Sequence, residues 1–202
     1  MKTYSINEIF YSLQGEGFYA GRASIFIRFA GCNLRCPFCD TDFSRGENLT
    51  ADYILAKCRG LLPAGNPAPP LVVLTGGEPT LQVDAELLAL LHSVFPEIAM
   101  ETNGTRPIPA GVDFVTCSPK GDYLSQDYQP IPEADEVKVV YDGQRNPSKW
   151  TRTIKARHYF IQPCDTGDPA KNASILEATI RFILANPRWR LSLQQQKIIN
   201  VK

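Results

Sequence analysis

The chain has 202 residues, of which 44% are hydrophobic and 21% charged, so it can bury one sizeable core or at most two small ones. Its lysines and arginines balance its aspartates and glutamates at 21 each, and this zero formal charge gives no electrostatic reason to expect a nucleic-acid or membrane partner. The N-terminal residues lack the apolar core of a signal peptide, and no apolar run is long enough to span a bilayer, so we expect a cytoplasmic protein.

Apolar segments with strand character alternate with segments of helical periodicity along the chain. Strands are predicted over residues 23–29, 71–75, 98–101, 114–117, 137–141 and 159–162. Helices are predicted over residues 50–59, 84–94 and 168–185, with Thr50 and Asp168 as the N-caps of the first and the last. This alternation is typical of an α/β fold with a mostly parallel sheet and right-handed crossovers, and we expect a single domain over residues 1–202.

Several predicted strands end in polar or glycine-rich turns. The clearest are Gly-Gly-Glu-Pro at residues 76–79, Thr-Asn-Gly at residues 102–104 and Ser-Pro-Lys at residues 118–120. Ligands bind at this end of the strands in barrels and in open α/β sheets. The predicted helices are fewer than the strands, so a complete eight-fold barrel does not fit the sequence.

Three cysteines follow the first predicted strand in a Cys-x3-Cys-x2-Cys array formed by Cys32, Cys36 and Cys39. An iron–sulfur cluster held by thiolates normally takes four of them, so three local cysteines without an obvious fourth suggest a cluster with one iron left open for a ligand. A zinc knuckle or a disulfide staple is the alternative. Zinc usually takes four ligands, and the histidines His92 and His158 lie far away in the sequence, while disulfides are not expected in a chain without a secretion signal.

The cysteine spacing resembles the signature of the radical S-adenosylmethionine (SAM) enzymes, whose [4Fe-4S] cluster uses three cysteines and gives its fourth iron to SAM. The flanking segments Ser-Leu-Gln-Gly-Glu-Gly at residues 12–17 and Cys-Asp-Thr at residues 39–41 resemble the 7-carboxy-7-deazaguanine synthase family of that superfamily. The similarity extends from residue 6 to residue 197. It implies a radical SAM core built as an incomplete, open TIM-like barrel, and it implies a homodimer.

The resemblance implies a lyase that converts 6-carboxy-5,6,7,8-tetrahydropterin to 7-carboxy-7-deazaguanine with loss of ammonia, which supplies queuosine and other deazapurines. A 5′-deoxyadenosyl radical derived from SAM would abstract hydrogen from C6 of the pterin, and the ring would then contract. The radical is carried by SAM, so no side chain is expected to act as a catalytic residue. An external electron donor such as flavodoxin is implied as well.

The resemblance also implies a SAM site at the polar strand ends. Gly76 and Gly77 let the backbone approach the methionine part of SAM, and Glu78 together with backbone carbonyls can accept from its ammonium group. Further SAM contacts are expected from Glu101, Asn103, Ser118, Lys120 and Gln162. Each of these residues can alternatively be a turn residue that satisfies nearby backbone groups.

The substrate site implied by the resemblance begins in the segment 12–17. Glu16 can accept from the guanidine-like edge of the pterin, Gln14 can both donate and accept, and Leu13 and Thr75 belong to the same site. Arg28 interrupts an apolar strand, and because a buried guanidinium needs an anionic partner we expect it to bind the substrate carboxylate. A structural salt bridge is the alternative for Arg28.

A magnesium ion is implied beside the cysteine loop, where Asp40 and Thr41 follow Cys39 directly. Magnesium usually keeps several waters and takes few protein ligands, so the Thr41 hydroxyl is an acceptable ligand. The alternative is a solvated turn. The family usually has Thr-His where this chain has Gln195 and Gln196, and this departure removes any histidine role at the C-terminal end.

Two other functions stay open at this point. An activase of the same superfamily would place a radical on a glycine of a partner protein, and the segment 12–17 argues against it because that activity needs no loop for reading a guanidine edge. The second is a non-catalytic scaffold that binds zinc or an iron–sulfur cluster without using SAM. The oligomeric state, the physiological reductant and the pathway that uses the product cannot be read from the sequence.

Overall fold

The computed structural model describes residues 2–65, 68–121 and 128–202. Within these ranges nine strands form one sheet: β1 (Tyr4–Leu13), β2 (Ala23–Phe29), β3 (Glu47–Leu49), β4 (Leu71–Gly76), β5 (Ile98–Thr102), β6 (Phe114–Cys117), β7 (Glu136–Tyr141), β8 (His158–Pro163) and β9 (Trp189–Leu191). The helices are α1 (Ala51–Gly60), α2 (Ala85–His92), α3 (Trp150–Thr153), α4 (Pro169–Ala185) and α5 (Gln195–Ile198). Short 3-10 turns occupy Pro79–Leu81 and Pro147–Lys149.

The strand order across the sheet is β3-β1-β2-β4-β5-β6-β7-β8-β9. The seven strands from β2 onward in this order pair in parallel, whereas β1 pairs antiparallel with both β2 and β3. Within the described ranges the two outer strands, β3 and β9, have no pairing with each other, so the sheet is open. The predicted α/β fold with a mostly parallel, incomplete barrel is confirmed.

All the predicted strands and helices are present, with ends that differ by one or two residues. The Thr50 hydroxyl accepts from the Tyr53 amide at 3.3 Å, and the Asp168 carboxylate accepts from the Ala170 amide at 2.9 Å, so both predicted N-caps are confirmed. The sequence analysis did not predict β1, β3, β9, α3 or α5. The long strand β1 was missed because Ser5, Asn7 and other polar residues interrupt its apolar positions, and most of it is only half-buried.

The outer face of the sheet packs against the helices in two hydrophobic clusters. Around β1, β2, β4 and β5 the cluster includes Ile27, Leu74 and the α2 residue Leu87, all fully buried. Around β7, β8 and β9 it includes Val137 and Trp189, with the partly buried side chains of α4 packed against them. These two layers fix the strands and therefore the positions of their ends.

The inner face of the sheet is apolar at one end and polar at the other. Side chains alternate along a strand, so in β4 Leu71 and Val73 face the same side as Thr75. Leu71 and Val73 join Phe26 and Phe114 in a small inner cluster near the amino-terminal ends of the parallel strands. The polar inward positions at the carboxyl-terminal ends are left to line a cavity. Among the described residues no helix is long and apolar enough to cross a membrane.

Candidate active site

A cavity of about 700 Å³ lies at the carboxyl-terminal ends of the parallel strands, which is large enough for a cofactor and a small substrate. Its lining includes all of the sequence-predicted site residues except Glu78: Leu13, Gln14, Glu16, Arg28, Cys32, Cys36, Cys39, Thr41, Thr75, Gly76, Gly77, Glu101, Asn103, Ser118, Lys120 and Gln162. The structure therefore brings residues from five strands and five loops to one place. Parallel strands have this effect because their carboxyl ends meet at one edge of the sheet.

The cysteine loop, residues 31–43, leaves β2 and curls back on itself. The Gly31 amide donates to the Phe43 carbonyl at 2.9 Å and closes the loop at its base, where Gly31 has a φ of +83°. Within the loop the Cys39 amide donates to the Cys36 carbonyl at 3.2 Å. Cys32 and Cys36 are half-buried and Cys39 is exposed, and all three thiols border the cavity.

The three thiols are a donor set of the kind that holds an iron–sulfur cluster. Burial raises the pKa of Cys32 and of Cys36, and the charge of Cys39 raises both further, while the ammonium of Lys120 lowers the pKa of Cys36. The thiols are thus near enough to influence one another. Over residues 2–65, 68–121 and 128–202 no three Cys, His, Asp or Glu side chains converge tightly enough to hold one ion. Three thiols around an open space suit a multi-iron centre.

The Gly76-Gly77-Glu78 turn is packed directly against the cysteine loop. The Gly77 amide donates to the Phe29 carbonyl and the Glu78 amide to the Gly31 carbonyl, both at 2.9 Å. A Cβ on Gly77 would overlap the Gly31 carbonyl oxygen, so only glycine permits this approach. The turn and the base of the cysteine loop therefore form one unit.

The carboxylate of Glu78 is fully buried and bonded within the protein. Its Oε1 accepts from the Thr80 hydroxyl at 2.6 Å and the Thr102 hydroxyl at 2.7 Å, and its Oε2 accepts from the Asn103 amide at 2.7 Å. The side chain joins the end of β4 to the end of β5. Glu78 thus shapes the cavity without contributing to its lining.

The remaining predicted SAM residues form short networks around the cysteine loop. The Asn103 side-chain amide donates to Asn33 Oδ1 at 3.0 Å, and the Lys120 ammonium donates to the Ser118 hydroxyl at 2.7 Å. The Lys120 ammonium also lies 5.4 Å from the centre of the Phe38 ring. Burial lowers the pKa of Lys120, while the neighbouring thiols act in the opposite direction.

A second part of the cavity lining is an ionic network centred on Lys138 of β7, which the sequence analysis did not single out. The Lys138 ammonium lies 2.6 Å from Glu16 Oε2 and 3.1 Å from Glu101 Oε2. The second oxygen of Glu101 accepts from the Gln14 side-chain amide at 2.9 Å. We call these four residues, Gln14, Glu16, Glu101 and Lys138, the carboxylate wall.

Electrostatics keep Glu16 and Lys138 ionised. Burial alone would raise the pKa of Glu16, but the charge and hydrogen bond of Lys138 hold it at about 2. Burial alone would lower the pKa of Lys138, but the charges of Glu101, Glu16 and Glu136 raise it above its ordinary value. Glu16 is therefore a charged acceptor that faces the cavity at neutral pH.

The C-terminal residues close the same wall from outside. The side-chain amides of Gln194 and Gln196 donate to Glu16 Oε1 at 3.2 and 3.0 Å. Gly15 makes this approach possible, because a Cβ there would overlap the Gln196 side chain. Gln196 Oε1 is buried and lacks a hydrogen-bond partner within the described part of the chain. Gln194 and Gln196 thus help to position Glu16.

Arg28 lines the cavity and forms the structural salt bridge that was its alternative interpretation. Its Nε donates to Glu8 of β1 at 2.9 Å, because Glu8 and Arg28 are paired across the antiparallel strands. Its Nη1 donates to the Thr41 hydroxyl at 3.3 Å. The salt bridge exists, and it also directs the guanidinium towards Thr41 and the cysteine loop. Glu8 was missed because β1 was missed.

The sequence matches the Radical SAM superfamily over residues 26–125. It is 45% identical to a 7-carboxy-7-deazaguanine synthase from Bacteroides thetaiotaomicron, with 98% of each chain covered. It is 40% identical to a protein of the same name from Nitratidesulfovibrio vulgaris, over 98% of this chain and 99% of that one. The crystal structure of QueE from Escherichia coli superposes with a TM-score of 0.72 and 28% identity, covering 95% of this chain and 93% of that one.

Proposed function

The chain belongs to the 7-carboxy-7-deazaguanine synthase family of radical SAM enzymes, and we propose that its cavity holds SAM against the cysteine loop and a reduced pterin against the carboxylate wall. The reaction is the conversion of 6-carboxy-5,6,7,8-tetrahydropterin to 7-carboxy-7-deazaguanine with loss of ammonia. The observation that carries this proposal is that three thiols and an ionised Glu16 line the same cavity.

Cys32, Cys36 and Cys39 are the residues that would hold a [4Fe-4S] cluster. When bound, the cluster and SAM together supply the electron and the hydrogen-atom abstraction at C6 of the pterin, chemistry that no side chain here provides. The close packing of Gly77 on Gly31 leaves the backbone of the turn beside the thiols, where its carbonyls can accept from the SAM ammonium. The Glu78 side chain holds that turn in place through its hydrogen bonds and is not expected to contact SAM.

The remaining SAM contacts fall to further residues that line the cavity: Asn103, Ser118, Lys120 and Gln162, together with Glu101 of the carboxylate wall. Lys120 and Ser118 offer a cation and a hydroxyl to the SAM carboxylate, and Glu101 offers an acceptor to ribose hydroxyls. The Ser192 hydroxyl donates to Gln162 Oε1 at 3.0 Å and fixes this side chain. This bond does not use the Nε2 donor of Gln162.

The pterin is expected to lie between Glu16 and Arg28. The ionised Glu16 accepts from the guanidine-like donors, Gln14 and the backbone of Leu13 complete that edge, and Thr75 lies on the cavity floor. At the other end, the guanidinium of Arg28 faces the substrate carboxylate. Thr41, which already meets Arg28, is placed to add its hydroxyl to a magnesium ion held by that same carboxylate and by waters.

Several further features belong to the same proposal. The unbroken sheet from β3 to β9 supports a single domain over residues 1–202. Reduction of the cluster needs an external one-electron donor such as flavodoxin. The enzyme works in the cytoplasm as a homodimer, as the resemblance to the family implies. The balanced charge gives no reason to expect a nucleic-acid or membrane partner.

The decisive experiment is anaerobic reconstitution with iron and sulfide, followed by incubation with SAM, a low-potential reductant, magnesium and 6-carboxytetrahydropterin. We expect 7-carboxy-7-deazaguanine by mass spectrometry, together with release of ammonia. Protein that assembles a cluster and cleaves SAM but leaves the pterin unchanged would contradict the substrate assignment. Protein that assembles no cluster would contradict the proposal at its base.

A further inference from the structure

Lys138 is the most deeply buried cation of the cavity, with a side chain that is only 4% exposed. Its ammonium contacts two carboxylates that come from different parts of the fold. Glu16 belongs to the loop that follows β1, and Glu101 lies near the end of β5. A buried ammonium needs such partners, because its isolated burial would be very costly.

Other residues also donate hydrogen bonds to each carboxylate, whereas Lys138 is the cation that the two carboxylates share. Glu16 Oε1 is bonded by Gln194 and Gln196, and Glu101 Oε1 is bonded by Gln14, all neutral amides. Within residues 2–65, 68–121 and 128–202, only Lys138 brings a positive charge to both, at Oε2 of each. Two partly buried carboxylates that contact one ammonium share a counter-ion, so a change at one alters the interaction that the other receives.

We propose that Lys138 is a positioning residue that links the pterin subsite to the SAM subsite by serving as the common counter-ion of Glu16 and Glu101. This inference rests on the proposed function, in which Glu16 meets the pterin and Glu101 meets SAM. Ligand donors that approach Glu16 compete with Lys138 for that carboxylate and shift the ammonium towards Glu101. Binding in one subsite therefore changes the acceptor that the other ligand meets.

The test substitutes Lys138→Met, which keeps the length of the side chain and removes its charge. Dissociation constants for SAM and for 6-carboxytetrahydropterin are measured by anaerobic calorimetry on cluster-loaded protein without reductant, so that neither ligand is consumed. We expect both affinities to fall at least fivefold. A smaller change for either ligand would overturn the inference.

Lys155→Met is the matched control. Lys155 is also paired with a carboxylate, Glu133 at 3.1 Å, but its side chain is 82% exposed and outside the cavity. It should bind both ligands as the unsubstituted protein does. Iron content is measured for each variant, so that a change in affinity is compared only between proteins with the same cluster loading.

Removal of Lys138 leaves two partly buried carboxylates without this cation, so a second measurement is needed in case that variant does not fold. Glu16→Gln and Glu101→Gln each leave Lys138 with one carboxylate. We expect Glu16→Gln to change the affinity for SAM, and Glu101→Gln to change the affinity for the pterin, at least threefold each. A residue that merely supported the fold would not produce these crossed effects, and affinities that changed only for each carboxylate's own ligand would overturn the link.

The outcomes distinguish a wrong proposed function from a wrong role of Lys138. If the unsubstituted enzyme neither binds the pterin nor converts it, the proposed function is wrong. If it binds and converts the pterin while the crossed effects are absent, the proposed function stands and only the role of Lys138 is wrong.

Discussion

The two walls of the cavity are built on opposite principles. On the cysteine side three thiols come from one short loop, are half-buried or exposed, and are oriented by backbone hydrogen bonds at the base of the loop. On the carboxylate side Gln14, Glu16, Glu101 and Lys138 come from three separate elements, and their charged atoms are already bonded to one another. One wall offers ligand positions to a metal centre, and the other offers a preorganised charge pattern to an organic molecule.

The two walls therefore become ready to bind their ligands at different stages. Free thiols acquire their function when iron binds, since the thiolate form becomes favourable only beside a metal or another positive charge. The free-energy cost of desolvating the carboxylate wall is met during folding, because its ions are paired before any ligand arrives. Substitutions on the two walls should therefore fail in different ways.

The largest effect is expected from Cys36→Ala on the cysteine wall. With two thiolates left, the cluster loses a ligand that no described neighbour replaces, so SAM cleavage and product formation should fall to background. Iron and sulfide are counted, and 5′-deoxyadenosine is measured after reduction. Folding should be retained, because Cys36 is half-buried and lies outside the hydrophobic clusters.

Cys58→Ala is the control for that change. Cys58 is fully buried in α1 and its thiol has a pKa raised to about 12 by burial, which makes it an inert packing residue. We expect normal iron content and activity, and a loss of about 1 kcal/mol in the free energy of unfolding. Turnover by Cys36→Ala, or loss of iron in Cys58→Ala, would contradict the assignment of the cysteines.

Gly77→Ala should have the next largest effect, because it separates the SAM turn from the cysteine loop. Its Cβ would overlap the Gly31 carbonyl, and relief of such overpacking costs about 1–3 kcal/mol. We therefore expect SAM affinity to fall about tenfold or more, as measured by calorimetry. The control is Gly60→Ala, where a Cβ at the end of α1 meets open space. Equal SAM affinities in the two variants would refute the tight turn.

The contrast between the walls also explains what the sequence revealed. The cysteines and the turn at residues 76–78 are local motifs, so their chemistry can be read without the fold. Arg28 was visible because a charged residue interrupts an apolar strand, whereas Thr75 was expected only from the resemblance to the family. Every predicted strand was found because each is a short apolar run that is buried on the sheet.

The carboxylate wall could not be predicted because its partners are distant in the chain. Glu16 and Lys138 are 122 residues apart, and only the arrangement of β7 beside the loop after β1 brings them together. One signal was available, since Lys138 interrupts an apolar strand in the same manner as Arg28. The partner of Arg28 was equally hidden, because Glu8 lies on a strand whose polar residues conceal its periodicity.

A smaller effect, confined to stability, is expected from Glu136→Gln behind the carboxylate wall. Burial raises the pKa of Glu136 from 4.5 to about 7, and the charges of Glu101 and Glu16 add to this, against the opposing influence of Lys138 and the Phe18 amide. The folded state therefore holds a proton that the unfolded state releases. The stability that this proton provides is complete below pH 4.5 and is lost as the pH rises through about 7.

Glutamine cannot titrate, so the stability of Glu136→Gln should be flatter over this range. Relative to the variant, the unsubstituted protein should lose about 3 kcal/mol in the free energy of unfolding between pH 4.5 and pH 8. Urea denaturation at several pH values measures this difference. Parallel pH profiles for the two proteins would show that Glu136 is ionised in the folded state at neutral pH.

The smallest effect is expected at Lys197, which repeats the geometry of Lys138 on the outer side of the cysteine loop. Its ammonium also bridges two carboxylates, Asp40 at 3.1 Å and Asp165 at 2.8 Å, but its side chain is 42% exposed. Exposed ion pairs contribute little because water screens them, so Lys197→Met should cost less than about 1 kcal/mol. That loss should disappear in about 1 M salt, where the screening length is about 3 Å.

Thermal unfolding of Lys197→Met and Lys138→Met at low and high salt therefore separates burial from geometry as the source of stability. The Gln194 amide still donates to Asp40 at 3.0 Å after Lys197 is removed, so the tail stays attached to the cysteine loop and iron content should be unchanged. A salt-independent loss of several kcal/mol at Lys197 would mean that the outer bridge is as desolvated as the inner one. The two walls would then differ only in chemistry, and burial would no longer explain why one is preformed and the other waits for metal.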